Sequence, residues 1–328
     1  MQALFLSCVL LCSSDAIPIG KSTIHVQFGD VTLPLYTYKP ATFRDGPMLM
    51  VFHGVQRNAE EYRDHAIPMS NRFGALIVAP HFDLETFPIP KYQLGGIVHE
   101  GKAVPAQQRT GEYVNRIALE IRRREGRKDL PYALIGHSGG GQFLGRLAAF
   151  VQTDAQRIVI TNPGTYTFPT NNAEFPYGLA GLPIELQTEE VLKAYLAQPV
   201  TIYLGSKDIE RDENLDVTGP ADAQGCSRFE RGTNAYDSAR RLAAERNWPF
   251  CWKLVIAEGI EHDHEKMFNH AKCAEAIGWW SERRWATQPE QPANLDDQTS
   301  EEIGNRHWRG RQVSRVRKRL KHRWRWLR

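Results

Sequence analysis

Apolar residues in this chain gather into short continuous runs separated by longer stretches of helical spacing. The runs at 48–52, 75–79, 132–135, 158–161, 200–204 and 252–256 are apolar at almost every position, as strands buried on both faces of a parallel sheet require. Upstream, 24–28 and 31–38 alternate instead, and Gly29-Asp30 between them is a hairpin signal. Helical patterns are predicted over about 58–72, 108–125, 139–152, 235–247 and 265–284. An antiparallel start followed by repeated strand–helix units implies an α/β fold, with a mostly parallel central sheet and helices on both faces. Residues 162–198 break the pattern. Asn162-Pro163-Gly164, Phe168-Pro169 and Phe175-Pro176-Tyr177-Gly178 are breakers, and Tyr166, Phe168, Phe175 and Tyr177 are spread among them. The stretch reads as a lid-like insertion or pocket wall, and equally as a surface excursion that packs its own aromatics.

The chemistry is concentrated where predicted strands end. Gly136-His137-Ser138-Gly139-Gly140 follows the run at 132–135 and precedes a helical stretch. This is G-x-S-x-G in the strand–turn–helix setting of a nucleophile elbow, where small neighbours allow the tight turn and the helix start faces developing negative charge. Ser138 is the candidate nucleophile. His53-Gly54-Val55 follows the run at 48–52, so the backbone N–H groups of Val55 and Gly139 are the expected oxyanion donors. The acid should follow the next-to-last strand and the base the last one. Gly205-Ser206-Lys207-Asp208 supplies Asp208, with Glu210, Asp212 and Asp216 as competitors; Gly259-Ile260-Glu261-His262-Asp263-His264 supplies His262, with His264 as runner-up. His53, Arg57, Tyr62, Tyr166 and Phe168 are candidates to line the substrate pocket, although surface packing is the commoner role for Arg57 and Tyr62. No G-x-G-x-x-G or Walker pattern is present, which argues against a nucleotide-binding turn. Two imidazoles two residues apart, without a third ligand near them in sequence, make a weak metal site, so neither a metal nor a cofactor is expected.

With these motifs in place, residues 22–284 resemble bacterial α/β-hydrolases of the poly(3-hydroxybutyrate) depolymerase-like and feruloyl-esterase-like groups. The resemblance rests on His53-Gly54-Val55-Gln56-Arg57-Asn58-Ala59, Gly136-His137-Ser138-Gly139-Gly140-Gly141-Gln142-Phe143 and Gly259-Ile260-Glu261-His262-Asp263-His264. It implies an α/β-hydrolase fold and hydrolysis of carboxylic esters without metal or organic cofactor. It places the nucleophile on Ser138, the acid on Asp208 and the base on His262. Glu261, which puts a carboxylate beside the base, departs from the family's usual loop. Two other readings keep the same residues: an amidase or peptidase using the triad, and a silent hydrolase scaffold that serves in binding.

The two ends change the picture of the whole chain. Net charge is +3, yet residues 306–328 carry eleven Lys/Arg without an acid, and 287–305 carry five acids without a base. The stretch at 287–305 reads as an acidic linker. In the tail, Val313, Val316, Leu320, Trp324 and Leu327 fall at helical spacing among the arginines. A basic amphipathic helix able to meet an anionic membrane or polyanion is one reading of 306–328, and a solvated disordered extension is the other; nucleic acid is not an expected partner. Residues 3–12 are apolar, and Ser14-Asp15-Ala16 follows them with small residues. Residues 1–16 thus read as a signal peptide, which implies a periplasmic or secreted protein, or a cytoplasmic one if that segment does not work as a signal. The catalytic domain is expected over 17–286. It holds Cys226, Cys251 and Cys273, an odd number that permits at most one internal disulfide of undetermined pairing.

Overall fold

A computed structural model describes residues 15–279. The signal-like residues 1–14, the acidic linker at 287–305 and the basic tail at 306–328 lie outside the described residues. The chain opens with a hairpin, β1 (Gly20–Phe28) and β2 (Val31–Lys39), paired in register through a two-residue turn at Gly29-Asp30. Gly29 stands at φ 65°, the positive φ that such a turn asks of its first central residue. There follow β3 (Met48–Phe52), α1 (Ala59–His65), α2 (Ile67–Phe73), β4 (Leu76–Pro80), the small hairpin β5 (Val98–His99) and β6 (Lys102–Ala103), and α3 (Glu112–Glu125). The second half runs β7 (Tyr132–His137), α4 (Gly139–Phe150), β8 (Arg157–Thr161), α5 (Glu189–Leu196), β9 (Val200–Gly205), α6 (Gly219–Asp222), α7 (Arg228–Arg246), β10 (Lys253–Ala257), α8 (His264–Asn269) and α9 (Lys272–Ile277).

Eight strands form one sheet in the order β1-β2-β4-β3-β7-β8-β9-β10. β1 and β2 are antiparallel additions at one edge, and β4 through β10 run parallel. The continuous apolar runs have a direct cause in this layering. Met48, Met50 and Phe52 face one core with α3, α4, α5 and α7, while Leu49 and Val51 face a second core with α1, α2, α8 and α9. With both faces covered, these strands are apolar at nearly every position, and the exceptions include the small, buried Thr161 and Thr201. The chain leaves β3 for β4 on one side and returns to β7 on the other. That reversal is a topological switch point at the carboxyl ends of β3 and β7, the place where open α/β sheets bind ligands.

The helices depart from the sequence expectation at particular points. The pattern over 58–72 is two helices meeting at Ala66, and the one at 265–284 is α8 and α9, broken at His270. α7 begins seven residues before the expected 235, at Arg228, capped by the Ser227 side chain. Its first turn is charged in sequence, yet Arg228 and Arg231 are fully buried. The stretch at 162–198 is fastened rather than loose. Arg146 on α4, also fully buried, donates to the carbonyls of Thr165 and Pro176 at 3.1 and 3.2 Å. Arg231 donates to Gly164 O at 2.6 Å, and Gln224 bonds both the N–H and the carbonyl of Tyr166. Tyr166 lies in the larger core, Phe168 and Phe175 pack against it, and the segment ends in α5. Cys226, Cys251 and Cys273 are free thiols. Among the described residues no helix is long and apolar enough to cross a membrane.

The turn between β7 and α4 is packed backbone against backbone. A Cβ at Gly136 would lie 2.4 Å from the Gly140 carbonyl oxygen. Gly136→Ala should therefore destabilise the fold by about 1–3 kcal/mol, read as a lower urea midpoint at unchanged slope. An unchanged midpoint would mean that the turn yields without cost.

Candidate active site

Ser138 sits where β7 ends and α4 begins, at φ 55° and ψ −117°. A non-glycine residue in that conformation is strained by roughly 1–3 kcal/mol and persists only where its surroundings impose it. Here the imposition comes from three sides. Gly136 and Gly140 bring the two arms of the turn into contact, and a Cβ on Gly140 would lie 2.2 Å from the Phe52 carbonyl oxygen. The Ser138 N–H donates to Thr161 O of β8 at 3.0 Å. The serine is thus held at the carboxyl edge of the sheet, half-buried, directly before the first helical N–H groups of α4.

The loop after β3 meets this turn closely. A Cβ on Gly139 would lie 3.2 Å from the backbone nitrogen of Val55, and one on Gly54 would lie 3.7 Å from the Ser138 Cβ. The N–H groups of Val55 and Gly139 therefore share one corner beside Ser138. His53 does not face that corner. It is fully buried, its Nε2 accepts the Phe82 N–H at 3.1 Å, and its Nδ1 is 3.0 Å from Gly54 O. An Nε2 that accepts leaves Nδ1 as the protonated nitrogen, so Nδ1 donates to Gly54 O. His53 supports the loop from beneath instead of lining a pocket. Burial lowers its pKa to about 3. Arg57 has a similar part. At φ 60°, it donates to Phe82 O at 3.0 Å and lies over the Tyr92 ring at 4.5 Å, while Tyr92 donates to His53 O.

The acid and base come from neighbouring strand ends. Asp208 follows β9 and His262 follows β10, and His262 Nδ1 lies 2.6 Å from Asp208 Oδ2. Backbone bonds between the two loops fix this meeting, with Lys207 N–H to Ile260 O at 2.9 Å and Ser206 N–H to Ala257 O at 3.0 Å. Asp208 is buried, and its Oδ1 lies 3.5 Å from Nη1 of the buried Arg228. Arg228 is itself held by Asp212 in a two-pronged pair at 2.7 and 2.8 Å. That pairing holds the Asp212 carboxyl below the ordinary carboxylate range. Asp216 accepts from Tyr177 at 2.6 Å, and Glu210 is exposed. Of the acids after β9, Asp208 is thus the one that meets a histidine after β10. Tyr166 lies buried behind it, raised in pKa chiefly by burial and secondarily by Asp208, and Phe168 is half-buried against the core.

His262 also packs on His137, ring centroids 4.5 Å apart. His137 is buried, and its pKa is lowered first by burial and then by the neighbouring His262 and His264. His264 takes another direction. It stacks on Tyr62 at 3.9 Å with the rings nearly parallel, and its Nε2 meets His65 Nδ1 at 2.9 Å. Ser138 Oγ has no hydrogen-bond partner among the described residues. Sequence reading did not single out Tyr92, Arg228 or His137, which contact the β3 loop, Asp208 and the His262 ring.

Fold and site together define the class: the chain belongs to the α/β-hydrolase family, a family of hydrolytic enzymes. It is 35% identical to the LpqC poly(3-hydroxybutyrate) depolymerase of Bordetella parapertussis, over 81% of this chain and 91% of that one, with a TM-score of 0.73. Poly(aspartic acid) hydrolase-1 of Sphingomonas sp. KT-1 is 32% identical over 76% of this chain and 96% of that one, with a TM-score of 0.72. An S-formylglutathione hydrolase of Agrobacterium tumefaciens shares the fold at 14% identity and a TM-score of 0.50, over 80% of this chain and 98% of that one. No family model and no curated protein sequence matches the chain.

Burial of neutral His53 and His137 has a consequence for stability. Both have folded pKa values below the unfolded value of about 6.5. As pH falls below that value the unfolded chain takes up protons that the folded chain refuses. The contribution is fully present above pH 6.5 and is lost toward the folded value, about 3 for His53. Each histidine adds up to about 1.4 kcal/mol per pH unit to the slope. Urea unfolding from about pH 7 to about pH 5 should show stability falling, with a shallower slope in His53→Gln. Equal slopes would contradict this account.

Proposed function

We propose that the chain is a serine hydrolase of carboxylic esters, with Ser138 as nucleophile, His262 as general base and Asp208 as the residue that orients the imidazole. The observation that carries this reading is the pairing of a strained serine at a strand–helix elbow with an Asp208–His262 contact of 2.6 Å at the same sheet edge. In the proposed reaction, His262 Nε2 takes the Ser138 proton as Oγ attacks the ester carbonyl. The N–H groups of Val55 and Gly139 receive the oxyanion. Collapse of the tetrahedral intermediate breaks the carbonyl–alkoxy bond, and His262 returns its proton to the departing alcohol. Water, deprotonated by the same imidazole, then releases the acid from Ser138. Asp208 stabilises the imidazolium, and Arg228, 3.5 Å from its other oxygen, helps to hold it in place. Likeness to a protein named as a depolymerase of poly(3-hydroxybutyrate), a polyester, supports the ester reading.

A second reading has its own support. The 32% identical relative is named for poly(aspartic acid), whose units are joined by amide bonds, and one triad serves both acyl donors. Hydrolysis of p-nitrophenyl esters from acetate to octanoate, beside an oligo-aspartate, separates the two. With esters as substrates, kcat should fall by about 10⁴–10⁶ in Ser138→Ala and by about 10⁴ in Asp208→Asn. Turnover of the oligo-aspartate alone would favour the amide reading. Activity surviving in folded Ser138→Ala would remove the triad assignment altogether. A folded wild-type chain that neither turns over substrate nor takes a fluorophosphonate would leave the silent scaffold.

A further inference from the structure

Three side chains from distant parts of the chain converge next to the candidate active site. Glu61 and His65 lie four residues apart on one face of α1, and His264 opens α8. His65 Nδ1 is 2.9 Å from His264 Nε2, His264 Nε2 is 3.6 Å from Glu61 Oε1, and His65 Nδ1 is 4.0 Å from Glu61 Oε1. A tetrahedral zinc ion bound to imidazole and carboxylate at about 2.0–2.1 Å has ligand–ligand edges of about 3.3 Å. The three observed edges straddle that length. His65 and His264 are half-buried and Glu61 is exposed, so an ion can enter from solvent and keep a water in its fourth position. The remaining nitrogen of His65, Nε2, faces Glu265 Oε2 at 3.6 Å. A carboxylate behind the outer nitrogen is the usual support of a metal-bound histidine. Stacking on Tyr62 fixes the His264 ring.

We propose that Glu61, His65 and His264 bind a borderline divalent transition-metal ion of the zinc type. Two imidazoles and one carboxylate suit zinc, cobalt or nickel and do not suit magnesium or calcium, which prefer all-oxygen sites. On binding, two nitrogen–metal bonds replace the hydrogen bond between the rings. The ring that carried the shared proton then holds it on its other nitrogen, which for His65 faces Glu265. α1 follows the loop that bears Val55, and α8 follows the loop that bears His262. An ion here therefore ties the oxyanion side of the site to the base side, and acts as a structural clamp outside the reacting atoms.

Titration of the chelator-treated full chain with Co²⁺ and then Zn²⁺ tests this. The wild-type protein should show the visible d–d bands of four-coordinate cobalt at one equivalent, lose them to Zn²⁺, and gain Tm as Zn²⁺ is added. His65→Gln and Glu61→Gln, each checked for native circular dichroism, should lose the bands and bind Zn²⁺ at least about tenfold more weakly. If His65→Gln does not fold, Glu61→Gln on the exposed helix face decides alone. Titrations that are the same in wild type and variants would overturn the site, as would a wild-type spectrum of six-coordinate cobalt. Comparison with the variants also separates this site from the histidines at 307 and 322.

Discussion

Two backbones meet at the carboxyl edge of this sheet with no room for a side chain between them, and the rest of the site is organised around that contact. One is the turn Gly136–Gly140, the other the loop that leaves β3 through Phe52, His53 and Gly54. Their closeness sets Ser138 at positive φ and puts the N–H groups of Val55 and Gly139 in one corner. Strain of this kind survives only when it is over-determined, and the structure supplies several fixings. Buried His53 and Tyr92 and half-buried Arg57 fasten the β3 loop beside Phe82, and Thr161 holds the turn to β8. Loss of any one leaves the others, so the geometry is a property of the packed edge and not of a single residue.

The acid–base half follows a different physical logic. Asp208 is a buried carboxylate, which is costly unless it is paired and hydrogen-bonded. His262 meets one of its oxygens and Arg228 approaches the other, while Asp212 at the surface balances the arginine. A chain of alternating charge thus runs from solvent to the imidazole. The same use of buried cations recurs in Arg146 and Arg231, which satisfy backbone carbonyls of the irregular segment after β8. Burial lowers the Arg146 pKa to about 10, which still leaves it charged at neutral pH. A segment rich in prolines, with few ladder bonds of its own, is held by guanidinium groups that each serve several carbonyls at once.

Much of this was legible along the chain because the physics is local. A strand buried on both faces is apolar at nearly every position, and a tight strand–helix turn needs small residues around its serine. Six parallel strands, the hairpin at Gly29-Asp30 and the elbow at Ser138 could therefore be read residue by residue. Order along the chain made Asp208 and His262 the candidates, since each follows a strand that the apolar runs already marked. The start of α7 was not legible. Arg228 and Arg231 look like surface charges in sequence, and only the carboxylates and carbonyls brought to them by other loops make their burial possible.

The sequence by itself determined the layer architecture and the tight strand–helix turn at Ser138, because apolar period and glycine placement act over a few neighbouring residues. The tertiary structure alone decided that Asp212 and Asp216 turn to Arg228 and Tyr177, and that His53 is buried as the support of a loop. It alone also brought Glu61 and His65, about two hundred residues earlier in the chain, against His264. Those outcomes depend on where separate strand ends and helices come to lie in space. Linear spacing carries no information about that.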